Sequence, residues 1–150
     1  MGLKEKLQTD LTQAIRSRDE LQSGTIRMLL AAITNEEVAG KAAKVLSDAE
    51  IITVLSREAK KRREAVEAYT QAKREDLANK EKAEAAVIAQ YLPKQLSEDE
   101  IKKLIQEAIA STGAAGPSGM GLVMKQLQPK IAGKADGGLV STLVKAALAQ

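Results

Sequence analysis

The sequence predicts an all-α protein. Apolar residues recur three and four apart along almost the whole chain, and no stretch alternates apolar and polar with period two. The same helix-start signal, a serine followed three residues later by glutamate, occurs twice: Ser47 with Glu50 and Ser97 with Glu100. Cys, His, Trp and Phe are absent and there are only two Tyr, so cores must be built from Leu, Ile, Val, Ala and Met. A chain of 150 residues supports one domain or two small helical ones.

The first stripe is Leu3, Leu7, Leu11, Ile15 and Leu21. The second is Ile26, Leu29, Leu30, Ile33 and Val38, and Gly40 can end it in a left-handed conformation. The third helix starts at the Ser47–Glu50 box, with Leu46 and Ile51 at hydrophobic-staple positions. Ile51, Ile52, Val54, Leu55, Ala59 and Val66 continue it to about Tyr69. The fourth is predicted from about Glu75 to Tyr91, with Leu77, Ala85, Ile88 and Leu92 facing inward.

Pro93 stops that helix, because proline lacks the needed donor and pushes its predecessor out of helical geometry. YLPKQLS, residues 91–97, therefore reads as a boundary between an amino-terminal part, 1–93, and a carboxyl-terminal part, 94–150. Ser97 and Glu100 then reopen a helix, with Leu96 and Ile101 as its staple. Three shorter helices are predicted. Ile101, Leu104, Ile105, Ala108 and Ile109 mark the first. Met120, Val123, Met124, Leu127 and Ile131 mark the second. Leu139, Val140, Leu143, Val144 and Ala147 mark the last. TGAAGPSG, 112–119, reads as a flexible linker. The architecture expected is four helices followed by three.

Composition excludes several chemistries. The chain holds no thiol nucleophile, no imidazole base, no His or Cys metal ligand and no disulfide. No G-x-S-x-G elbow, P-loop or dinucleotide fingerprint occurs. GPSGMG lacks both the preceding strand and the lysine–serine ending of a phosphate loop. Asp99 with Glu100, and Glu75 with Asp76, are neighbours at helix starts, where acids complement the dipole; they do not read as an acid–base pair. The amino terminus lacks a secretory pattern, and no apolar run is long enough to span a bilayer. A cytoplasmic protein without catalytic residues, metal or cofactor is expected.

The charges are informative by position. The net charge is +3. Residues 1–93 hold 16 basic and 15 acidic side chains, whereas 120–150 hold four lysines and only Asp136. The run REAKKRRE, 57–64, places Glu58 and Arg62, Lys60 and Glu64, and Arg63 and Glu67 four apart. Paired charges on a solvated helix face account for it.

PKIAGKADGG, 129–138, is different. Gly133 suits a left-handed helix exit and Asp136 can cap the next helix through Gly138 or Leu139. A turn thus accounts for the glycines and the aspartate, but not for Lys130 and Lys134, although lysines are common on surfaces. Asp136 would occupy the helix-start donors that otherwise attract phosphate. Anion contact would therefore fall to lysine side chains. Lys125 and Lys130 lie about 140° apart on one helix, Lys134 follows in the turn, and Lys145 points away from the last apolar stripe. Such a surface, without aromatic rings to stack bases, would read backbone shape.

Five strings together resemble the YqeY-like family: TIRMLLAAITNEE (25–37), VLSREAKKRRE (54–64), AKREDLANKEKAE (72–84), YLPKQLSEDE (91–100) and GMGLVMKQLQPKIAGKADGGLV (119–140). That family is similar to the carboxyl-terminal tail found in one component of aspartyl/glutamyl-tRNA amidotransferase. The resemblance implies a four-helix part, a three-helix tail and tRNA as partner. The family's motif falls on Met120, Gly121, Val123, Met124, Pro129, Lys130, Gly133, Lys134, Ala135, Asp136 and Gly137.

The expectation is a non-catalytic binder of tRNA or another structured RNA, using Lys125, Lys130, Gly133, Lys134 and Lys145. Two rivals are a protein–protein adaptor and an accessory component of a glutamine-dependent tRNA amidotransferase. The catalytic body that carries the tail in the larger enzyme is missing here, as is any amidase signature, so carbon–nitrogen ligation by this chain alone is not expected.

Overall fold

A computed structural model describes residues 2–149. Among them are seven α-helices, one short 3-10 turn and no strand, so the fold is all-α. The chain forms two compact units that divide between Leu92 and Pro93.

The first unit contains α1 (Leu3–Arg16), α2 (Glu20–Glu37), α3 (Asp48–Gln71) and α4 (Glu75–Ala89). Leu7, Ile26, Leu29, Ile33, Leu55 and Ile88 form the centre of its core and are fully buried. Each such side chain contributes about 1.5–3 kcal/mol. The capping box at Ser47 forms as expected: Glu50 N–H donates to Ser47 Oγ, and Ser47 N–H donates to Glu50. Leu46 and Ile51 are both buried beside it.

Two helix ends differ from expectation. The first stripe does not run on to Leu21. Arg18 takes a left-handed φ of 58°. The amides of Arg18 and Asp19 then turn back to the carbonyls of Ile15 and Ala14, 3.1 and 2.9 Å away. Asp19 caps α2 by accepting from Gln22 N–H. Leu21 therefore belongs to α2, and Ile15 and Leu21 are exposed. The second difference concerns α2, which ends at Glu37 rather than Gly40. The returning loop places Lys44 N–H 2.9 Å from Glu37 O, Val38 is exposed, and Gly40 is not left-handed.

The α3–α4 corner repeats the device seen after α1. Lys73 has φ 60°, and Arg74 N–H reaches Tyr69 O at 2.8 Å. Beyond it, the expected solvated pair Glu58–Arg62 is internal. The Arg62 and Glu58 side chains are only 13% and 12% exposed. Arg62 Nε also lies 3.5 Å from Glu81 and 3.2 Å from Glu84 on α4. These are ion pairs without hydrogen-bond alignment, since Arg62 Nε and Glu81 Oε2 have no hydrogen-bond partner. Arg62 also touches Met28 on α2. The four-residue spacing showed which residues pair along α3. It could not show that α4 covers them.

The second unit contains α5 (Glu98–Thr112), α6 (Met120–Ile131) and α7 (Gly137–Leu148). Its core is aliphatic: Ile101, Ile105, Ala108, Val123, Leu127, Ile131, Val140, Val144 and Leu148. Ser97 and Glu100 form the expected box. Leu139, read as part of the last stripe, is exposed. The segment 112–119 is more ordered than a flexible linker. Gly113 exits α5 in a left-handed conformation, and Pro117–Gly119 makes a 3-10 turn. Gly119 is buried, and a Cβ there would lie 2.7 Å from the Ala114 Cβ. The glycine permits close approach of two chain segments, so GPSG is a packing element.

Candidate nucleic-acid interface

The lysines of interest sit on α6, on α7 and in the turn between them. Val123, Leu127 and Ile131 anchor α6; Val140, Val144 and Leu148 anchor α7. Gly133, half-buried with φ 73°, lets the chain reverse. The amides of Lys134 and Ala135 both return to Ile131 O, at 2.8 and 3.1 Å. Asp136 accepts from Gly138 N–H at 3.1 Å and starts α7, as its position suggested.

A second segment holds this turn from outside, and sequence reasoning missed it. Gln95 Nε2 donates to Gly133 O and to Pro93 O, each at 2.8 Å. Leu96 N–H donates to Lys134 O at 2.9 Å. YLPKQLS read only as a boundary, and no local spacing could link Gln95 to a residue 38 positions away. The backbone amides of Lys134, Ala135 and Gly138 are thus already engaged within the turn. The lysine side chains remain as the groups able to meet an anion.

Lys125, Lys130, Lys134 and Lys145 are all exposed, and none forms an ion pair with another described residue. They do not share one direction. Taking about 100° per residue, Lys125 points about 160° from the centre of α6's buried stripe, Lys130 about 60° and Lys145 about 100° from that of α7. Lys130 and Lys134 bracket the turn. Lys125 projects from the middle of α6 and Lys145 from the last turn of α7. Lys94 is exposed and precedes Gln95, the residue whose side chain holds the turn.

The neighbouring acids are partly neutralised. Glu98, Asp99 and Glu100 open α5 immediately after Leu96 and Ser97. Glu100 accepts from Ser97 N–H, and Glu98 pairs with Lys102 at 3.3 Å. The surface at this turn is therefore basic on the α6–α7 side and acidic toward α5, which gives an approaching polyanion a preferred side. No group of three His, Cys, Asp or Glu able to hold a metal occurs among the described residues, and no described helix is long and apolar enough to cross a membrane.

Residues 4–148 match the family described as Yqey-like protein. The chain belongs to the YqeY-like family. It is 32% identical over 145 residues to "Altered inheritance of mitochondria protein 41, mitochondrial" of Pyrenophora tritici-repentis, covering 93% of this chain and 77% of that protein. A protein of the same name from Candida glabrata is 29% identical over 128 residues, 83% of this chain and 68% of the relative. The chain is also 35% identical over 85 residues to a glutamyl-tRNA(Gln) amidotransferase component of Thermococcus gammatolerans. That match covers 54% of this YqeY-like chain and 14% of the archaeal protein. Kinship with a tRNA-dependent amidotransferase is thereby shown.

Proposed function

We propose that this YqeY-like protein binds structured RNA, tRNA in particular, through the basic side of its second unit. Lys130 and Lys134 grip the phosphate backbone at the turn, and Lys125 and Lys145 extend the contact along α6 and α7. The observation that carries this reading is the exposed, ion-pair-free state of Lys130 and Lys134 on a turn fixed by Gln95 and Leu96. A rigid mount lowers the ordering cost of each contact. The relative whose name contains glutamyl-tRNA(Gln) supports tRNA as the partner. Recognition is by charge and shape, because nothing on this surface stacks or reads bases. The chain performs no reaction alone in this reading. Its proposed location is the cytoplasm, and fractionation of tagged cells tests that against the organelle named for the fungal relatives.

With about four lysines on phosphates, log affinity falls against log salt with a slope near −3, at roughly 0.7–0.9 per contact. Lys130→Ala with Lys134→Ala should cut the slope by about half and weaken tRNA binding in a gel-shift titration, with an unchanged thermal midpoint. Unaltered affinity in the folded double variant refutes the interface.

The amidotransferase relative also favours a second reading, in which the chain assists transamidation. Adding it to charged tRNA, glutamine, ATP and an amidotransferase decides this. A raised rate supports assistance, and an unchanged rate rules it out.

A further inference from the structure

The first unit contains a polar groove, open to solvent, that the RNA reading does not use. It has a volume of about 310 Å3 and lies between α1, the start of α2 and the end of α4. That is the low end of the roughly 300–1,000 Å3 typical of ligand pockets, a size for one side chain or a compact polar group.

Its lining is rich in acceptors and contains no lysine or arginine. Tyr91, itself buried, donates its hydroxyl to Asp10 Oδ2 at 2.6 Å, and Lys6 meets the same oxygen at 3.0 Å. Lys6 also lies over the Tyr91 ring, 5.1 Å from its centre. Asp10 Oδ1 accepts nothing from the described residues. Asp19 accepts from Gln22 N–H through Oδ1, which leaves its Oδ2 open. Gln13, Gln22 and Gln90 also line the groove, and their side-chain amides bond to no described residue. Two carboxylate oxygens and three side-chain amides, each with an acceptor oxygen beside its N–H donors, therefore surround one small space.

We propose that this groove takes the guanidinium of an arginine presented by a protein partner. Asp10, although paired with Lys6 through Oδ2, and Asp19 turn carboxylate oxygens toward this space, so phosphate is a poorer ligand than a cation here. Guanidinium offers five N–H donors in a planar fork, which suits acceptors spread around a groove better than the three clustered donors of an ammonium. The Tyr91 hydroxyl and, after it, Lys6 hold the Asp10 carboxyl below its usual range, so it stays charged at neutral pH. Ile15 and Leu21, exposed and each one residue from a lining residue, are apolar groups that a bound protein segment could cover.

The test uses the full-length, 15N-labelled protein titrated with acetyl-arginine amide at millimolar concentration. Acetyl-citrulline amide, of the same shape but uncharged, and acetyl-lysine amide are the comparison probes. Saturable shifts should appear at Asp10, Gln13, Gln22 and Gln90, with binding about five- to tenfold weaker for citrulline, as expected for hydrogen bonds to charged groups. Asp10→Asn should weaken the arginine probe by a similar factor. Gln90→Ala, at an exposed position, should weaken it without touching the Tyr91–Asp10 bond. No saturable shift, equal binding of citrulline, or unchanged binding in Gln90→Ala and in folded Asp10→Asn overturns the site.

Discussion

The two units solve the same packing problem with different materials. The buried polar side chains Ser23, Thr25 and Glu58 all lie in the first unit, which adds the Arg62 cluster and the Tyr91–Asp10 bond. The second unit is held by branched aliphatics, a left-handed glycine at two helix ends and a glycine contact with Ala114. Ionic packing fixes which residues meet, because a misplaced helix strands a charge. Aliphatic packing tolerates repacking but demands shape, and the left-handed helix exits of this unit use glycine. The first unit should thus be sensitive to lost charge partners, and the second to added volume.

The largest test of that contrast is Arg62→Ala. It leaves Glu58, Glu81 and Glu84 facing one another with 12–20% exposure. A loss of about 3 kcal/mol is expected, read from denaturant unfolding and from faster amide exchange in α3 and α4. An effect below about 1 kcal/mol, typical of surface pairs, would mean the cluster behaves as a solvated one.

The counterpart is Gly119→Ala, which adds one methyl against Ala114 and should lose about 2 kcal/mol. Adding Ala114→Gly removes the nearest atom and should recover part of it, since the Ala114 Cα stays 3.3 Å away. If the double variant is no better than the single one, crowding is not the cause.

Gln95→Ala is the next smaller step. It removes the donor to Gly133 O and Pro93 O and should lose about 1 kcal/mol, with faster exchange of the Leu96 amide. It should also weaken RNA binding less than the double lysine variant, since the lysines remain while their mount loosens.

The smallest effect runs the other way. Arg18 and Lys73 hold left-handed conformations that cost most side chains about 1–2 kcal/mol. Glycine removes that cost and restores about half of it as chain entropy. Each of Arg18→Gly and Lys73→Gly should raise stability by about 0.5 kcal/mol, measured by denaturant unfolding. The first unit would then have gained from the residue type on which the second already relies.

Legibility in the sequence followed chain separation. Ser47, Ser97 and Asp136 each act on a backbone amide two or three residues away, so their caps could be read directly. Gly133 at the exit of α6 was legible for the same reason. The corner at Arg18 was not, because no glycine marked it, although Asp19 followed by Gln22 was an available cap signal. Of the proposed interface, the lysines and their turn were visible. The hold by Gln95 was not.

The sequence by itself determined the all-α class, the capped helix starts, the helix exit at Gly133 and membership of the YqeY-like family. All of these rest on periodicity, residue type or neighbours a few positions apart. Only the tertiary structure decided that Arg62 is enclosed by three glutamates, that Tyr91 bonds an aspartate 81 residues earlier and that Gln95 steadies the Lys134 turn. Those pairings arise when segments distant in the chain are brought together by packing. The same side chains would be ordinary solvated groups on an isolated helix.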